Sequence, residues 1–168
     1  MSHPLVGIIM GSDSDWPKIK GAVAALAEFH VPYEVRVMSA HRTPDIVQEY
    51  ASTATARGLR VILAAAGGAA HLAGVVAAHT VLPVIAIPVP TELAGGLDSL
   101  LSMVQMPGDV PVATVGVGSG GARNAGLLAV QMLGLADPAL QEKYVAYKRG
   151  LVEKVLAKDA ALQATLKS

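Results

Sequence analysis

Between Val61 and Pro90 the chain carries no Asp, Glu, Lys or Arg. A stretch that long and apolar either crosses a membrane or lies buried inside a folded domain. Its internal order decides between the two. Gly67-Gly68 interrupts it, His71 and His79 lie within it, and Pro83, Pro88 and Pro90 break its end. β-Branched residues gather at its two ends and alanine in its middle, which reads as buried strand, helix, buried strand. No membrane span is expected. Two successive strands buried on both faces require a parallel sheet covered by helices above and below.

The remainder repeats that unit. Val6–Met10 is a short apolar run closed by Gly11, a buried strand. Trp16, Ile19, Val23, Leu26 and Ala27 follow at helical spacing, with Ser14 as the expected N-cap and Pro17 in the first turn. Tyr33–Val37 alternates apolar Val35 and Val37 with charged Glu34 and Arg36, so this strand has one wet face and belongs at a sheet edge. Thr43 is expected to cap a second helix, with Pro44 at its first position and Asp45 at the positive end of the macrodipole; Gly58 stops it. Strands are expected over 60–66, 83–89 and 112–117, and helices over 69–79, 97–104 and from Gly118-Ser119-Gly120-Gly121 to near Gly134. Asp137-Pro138 opens the C-terminal helices, about residues 137–168, with Leu140, Tyr144, Tyr147 and Leu151 on one face. They have little left to cover in their own domain and are expected to pack on a neighbouring subunit. No linker, repeat or low-complexity tract divides the chain, so residues 1–168 are expected to form a single domain. The expected fold class is α/β: a three-layer flavodoxin-like (Rossmann-like) domain with a five-stranded parallel sheet in the order 2-1-3-4-5.

Charge and cysteine content narrow the function classes. Lys plus Arg and Asp plus Glu are each 13, so the formal net charge is zero. Such a chain has no electrostatic footprint for nucleic acid or an anionic membrane. The absence of cysteine removes disulfides, thiolate metal sites and cysteine nucleophiles, and is compatible with a reducing cytoplasm. Met1-Ser2-His3-Pro4-Leu5 lacks the basic-then-apolar pattern of a secretion signal, so a cytoplasmic location is expected. Charged residues make up 15% and hydrophobic residues 52%. A chain this poor in charge is expected to bury apolar surface in a homo-oligomer.

In a sheet of order 2-1-3-4-5, ligands bind beyond the carboxyl ends of strands one and three, where the order reverses. The segments that follow the first three strands are Gly11-Ser12-Asp13-Ser14-Asp15, Ser39-Ala40-His41-Arg42-Thr43 and Gly67-Gly68-Ala69-Ala70-His71. Each residue has an ordinary use. Ser12 or Ser14 can cap a helix, Asp15 can complement a dipole, and Arg42 can form a surface ion pair. Gly67-Gly68 can make a turn, and His41 and His71 can bond to backbone. Brought to one crevice they form a site. Arg42 matches a phosphate, and serine hydroxyls and helix N-terminal amides complete the pocket. Asp15 suits ribose hydroxyls. His41 can take and return a proton near neutral pH. The histidines are scattered, with no metal-ligand spacing. Gly118-Ser119-Gly120-Gly121 lacks the ending of a P-loop and reads as a strand-to-helix turn.

The segments Met10–Trp16, Ser39–Pro44 and Ala66–Leu72 together resemble the signatures of the class I N5-carboxyaminoimidazole ribonucleotide mutases, the PurE family of purine biosynthesis. Asp98-Ser99-Leu100-Leu101-Ser102, Gln105-Met106-Pro107 and Asn124–Ala129 match further along, so the resemblance covers nearly the whole chain. It implies an octamer of flavodoxin-like subunits whose active sites draw on more than one chain. It also implies reversible conversion of N5-carboxyaminoimidazole ribonucleotide to its carbon-4 carboxylated isomer, with no metal or organic cofactor. Carried over by position, His41 is the acid/base. Ser12, Asp15 and Arg42 bind the ribonucleotide, Ser14 and Ser39 assist at the phosphate, and Gly67, Gly68 and His71 enclose the imidazole and carboxylate. The instability of the N-carboxylated substrate leaves room for a transient contact with the enzyme that makes it. Ala73 stands where the family usually has proline, Ala65 replaces a common glycine, and residues 116–123 are unusually glycine-rich.

Two other functions fit the fold. A sister class carboxylates the aminoimidazole with free carbon dioxide, but typically has Lys in place of Arg42 and lacks the Gly-Gly-Ala-Ala-His segment. A non-catalytic flavin- or nucleotide-binding module would have no need of a basic side chain at position 41.

Overall fold

The computed structural model describes residues 3–166. By internal contacts the chain forms two compact units, one ending at Val130 and the other beginning at Gln131. The first holds five parallel strands: β1 (Val6–Met10), β2 (Tyr33–Val37), β3 (Val61–Ala66), β4 (Val84–Pro88) and β5 (Ala113–Thr114). They lie in the order β2-β1-β3-β4-β5, as the sequence pattern predicts, and the fold is flavodoxin-like with helices on both sides of the sheet. Among the described residues no helix is long and apolar enough to cross a membrane.

The three central strands are buried along their whole length, which is why their sequences run apolar without alternating. On one face Ile9, Ile62 and Ala64 join a core with Val47, Tyr50 and Ala51 of α2 (Pro44–Thr53) and Val76 of α3 (Leu72–His79). Successive strand residues point to opposite faces, so Ile8 and Leu63 turn to the other side. There α1 (Trp16–Glu28) meets the first turns of α5 (Ser119–Gly134) at very short range. A Cβ on Gly126 would stand 2.8 Å from the Cβ of Ala25 and would strike the backbone of Ala22, so only glycine allows this approach. The remaining helix of this unit is α4 (Leu97–Val104).

Several local expectations are corrected. Ser14 does not cap α1; Ser12 instead caps a short 3-10 turn over Asp13–Asp15, and α1 starts behind it. Thr43 makes no side-chain cap to α2. Its Oγ1 accepts from Ser39 N at 2.9 Å and donates to Ser39 O at 3.1 Å, closing the 39–43 loop on itself. α3 begins at Leu72, because Gly68 to His71 makes tight turns first, Ala70 N donating to Gly68 O and His71 N to Ala69 O. β2 is an edge strand, but its apolar side chains are not covered: Val37 is 55% exposed. With Met10 and Trp16, Val35 and Val37 line an apolar groove. β5 keeps only two paired residues of the expected six, hemmed by Pro111, which has no N–H, and by Gly116.

The second unit is the end of α5 together with α6 (Pro138–Leu166); α6 is one continuous helix of 29 residues where more than one helix is expected. Asp137 Oδ1 caps it, accepting from Leu140 N at 3.1 Å. At 1.5 Å per residue it spans about 43 Å. Every residue from Leu151 to its end is exposed, including Val152, Val155 and Leu156. Residues 167 and 168 of the expected helical tail lie outside the described residues.

Candidate active site

The carboxyl ends of β1, β2 and β3 open into a cavity of about 420 Å³. Its wall takes Gly11, Ser12 and Asp15 from the first loop, Ser39, His41 and Arg42 from the second, and Gly67 and His71 from the third. Ser14 and Gly68 do not line it. Ser14 is exposed, with its Oγ 2.9 Å from Ser12 Oγ. Gly68 turns its backbone toward α4 instead, donating its N–H to Ser99 Oγ.

The second loop is built around Ser39. Its Oγ accepts from the backbone N–H of His41 at 3.3 Å and of Arg42 at 3.2 Å, so both side chains leave from a fixed turn. The Arg42 guanidinium then donates from Nη2 to Gly11 O at 2.7 Å, joining loop two to loop one. That contact uses one of five N–H donors and leaves the fork available to an anion. Asp15 is 8% exposed although charged. Burial pushes its carboxyl above the usual range, and the nearby Lys18 charge partly opposes the shift. A carboxylate short of solvent gains by accepting hydrogen bonds from ligand hydroxyls.

The two histidines meet. His41 Nε2 lies 2.9 Å from His71 Nδ1, with ring centroids 5.0 Å apart and planes at 87°. Both rings and Arg42 are exposed in the single chain. The same cavity is also lined by Ala66, Gly67, Ala69 and Val89, which are apolar and mostly small. Polar anchors, small apolar residues and two imidazoles thus line one cavity.

The sequence reading missed Lys18, Pro90 and Thr91, which also line the cavity. Lys18 Nζ donates to Pro90 O at 3.3 Å across 72 positions of sequence. Lys18 could have been found from its place one turn beyond Asp15. Pro90 and Thr91 follow β4, the next strand beyond the three considered, and carry no chemical pattern of their own.

A sequence description of the AIR carboxylase family matches residues 5–154. The chain belongs to the AIR carboxylase family. A family member from Mycobacterium tuberculosis, named N5-carboxyaminoimidazole ribonucleotide mutase, is 63% identical over 161 residues, covering 96% of this chain and 91% of that one. One of the same name from Bacillus subtilis is 57% identical over 154 residues, covering 92% and 95%. Among solved structures, Treponema denticola PurE superposes with a TM-score of 0.85 at 29% identity, covering 95% of this chain and 98% of that one. A point variant of PurE2 from the same organism gives 0.86 at 28%, covering 96% and 99%.

Proposed function

We infer that this AIR carboxylase family member is an isomerase that interconverts N5-carboxyaminoimidazole ribonucleotide and 4-carboxy-5-aminoimidazole ribonucleotide in purine biosynthesis. One observation carries the mechanistic reading: His41 lines a single cavity together with Arg42, Ser12 and Asp15 and with the small residues Ala66, Gly67 and Ala69. The ribonucleotide phosphate is held by Arg42 with Ser12 and Ser39, and Ser14 reaches it through Ser12. Asp15 takes the ribose hydroxyls. The aminoimidazole then lies beside His41, against the wall that Gly67, Gly68 and His71 help to shape.

The bond changes balance within the site. The N–carboxylate bond breaks, its electron pair returns to nitrogen, and carbon dioxide is released. Carbon 4 attacks the carbon dioxide. The hydrogen on carbon 4 leaves as a proton to His41, and that proton replaces the carboxyl group on nitrogen. No outside reactant is consumed. Holding the carbon dioxide beside carbon 4 makes the second bond formation effectively unimolecular.

The whole chain serves as one mutase domain working in a homo-oligomer, an octamer by family resemblance. Two features support this: His41, Arg42 and His71 are exposed in one chain, and α6 leaves its apolar residues uncovered. A second copy would close the chamber. The cysteine-free chain suits the cytoplasm, and a transient contact with the enzyme that makes the labile substrate fits the same setting. The test is a direct isomerisation assay with native protein and His41→Asn. General acid/base loss lowers kcat by about 10²- to 10⁴-fold, with ribonucleotide binding retained. Equal rates would remove His41 from the chemistry.

A further inference from the structure

Ser99 has no exposed surface and does not line the cavity. A buried helical serine commonly bonds back to a carbonyl of its own helix. Ser99 instead uses its hydroxyl on two other segments. Its Oγ accepts from Gly68 N at 3.0 Å and donates to Val89 O at 2.8 Å. One turn on, Ser102 Oγ lies 3.2 Å from Gly68 O and 2.7 Å from Asp98 O. Both backbone polar groups of Gly68 therefore meet hydroxyls from α4, the N–H firmly at Ser99 and the carbonyl through a Ser102 hydrogen shared with the nearer Asp98 O.

The start of α4 is fixed in turn. The Asp98 carboxylate accepts from Ser99 N at 2.8 Å and from the hydroxyl of Thr91, a cavity residue. The hydrogen bond from Thr91 holds that carboxyl below its usual range. The end of β4, the start of α4 and the loop after β3 form one hydrogen-bonded unit. Its influence runs forward from Gly68. Ala70 N donates to Gly68 O at 2.8 Å and His71 N to Ala69 O at 2.9 Å, and the His71 ring then meets His41. A shift of Gly68 is a shift of His71 and of the small-residue wall.

We propose that Ser99 and Ser102 are positioning residues that clasp Gly68, so that the 67–71 loop both walls in carbon dioxide and presents His71 to His41. This rests on the carboxyl-shift reading above. Confinement is the readout, because a merely structural serine would alter stability or rate without altering where the carboxyl carbon goes. Substrate carrying ¹³C in its carboxylate is converted in excess unlabelled bicarbonate, and the label in the product is measured beside kcat and KM.

Native protein is expected to retain the label. Ser99→Ala is expected to lower kcat about tenfold, a fraction of what an ångström of misplacement costs. Product label should fall with it, because released carbon dioxide escapes and is replaced. KM should move less than kcat, since Ser12, Asp15 and Arg42 are untouched. Ser102→Ala, at a half-buried position, should show the same changes more weakly, and it decides the matter if Ser99→Ala does not fold. Native-like label retention in the folded variants overturns the clasp. Native protein that forms no product overturns the carboxyl-shift reading itself, and is seen before any variant is made.

Discussion

Gly67 and Gly68 are adjacent, yet alanine at each should do opposite things. Gly68 has φ +70°, and a Cβ there would meet nothing within 4 Å. The cost of Gly68→Ala is backbone strain alone, about 1–2 kcal/mol for a side chain in the left-handed region. In a chain of this length each kcal/mol lowers Tm by about 2–4 °C, so a fall of roughly 2–8 °C is expected. Gly67 carries no such strain. A Cβ there would lie 3.4 Å from Thr91 Cγ2 and 3.5 Å from Val89 Cβ, which is ordinary van der Waals contact. Stability of Gly67→Ala should stay within about 0.5 kcal/mol of native. However, Thr91 and Val89 line the cavity, so the methyl thickens the wall against which the proposed mechanism places the carboxyl group. A displacement of about 1 Å there costs on the order of 10²-fold in rate. Thermal denaturation by circular dichroism and the isomerisation assay, run on both variants, separate the two effects. A stable Gly68→Ala, or a Gly67→Ala with native kcat, would refute this account of the loop.

Asp15 should show a stability–function trade. Burial raises its folded pKa above the ordinary 3.8, so the native state holds the proton more tightly, and stability falls as pH rises from 3.8 through the folded value. Asp15→Asn should flatten that fall in denaturant titrations at a series of pH values and give a higher midpoint at neutral pH. The same variant should raise KM about tenfold or more by losing a charged hydrogen bond to the ribose; an unchanged KM would remove Asp15 from ribose binding. Charge placed on α6, as in Val152→Glu with Leu156→Glu, should shift sedimentation toward smaller species while leaving the far-ultraviolet spectrum of the chain intact. An unchanged assembly would show that this face is not the contact.

The fold was legible because burial writes itself into composition. Val61–Ala66 and Val84–Pro88 have no wet face and therefore no charge, whereas Tyr33–Val37 alternates and sits at the edge, and that contrast is enough to give the strand order. The three site loops were legible because strand order dictates where loops converge. What stayed hidden depended on contacts between segments distant in sequence. Thr43 has the right type and place for a cap, but the 39–43 loop offers its hydroxyl a closer partner in Ser39. Lys18 acquires its role from Pro90, and Ser99 from Gly68 and Val89, across separations that no periodicity encodes. β2 differs in another way: its alternation predicts one covered face, yet Val37 is 55% exposed, whereas the exposed apolar residues of α6 agree with the expectation that this helix has little to cover in its own domain.

The histidine contact limits how the proton can travel. Ring nitrogens 2.9 Å apart have room for one hydrogen between them, so one imidazole donates and the other accepts. One proton is what the carboxyl shift requires, taken from carbon 4 and returned to nitrogen. If His71 is the donor, His41 Nε2 is engaged as acceptor and must be released before it can receive the proton there. If His41 is the donor, it must hand its hydrogen toward His71 or turn away. Handing the hydrogen across the contact needs no rotation; breaking the contact needs one ring to turn, and both rings are exposed enough to do so. The hydroxyls of Ser99 and Ser102 meet the backbone of Gly68 and not the His71 ring, so under the proposed carboxyl shift the ring can turn while the loop stays in place.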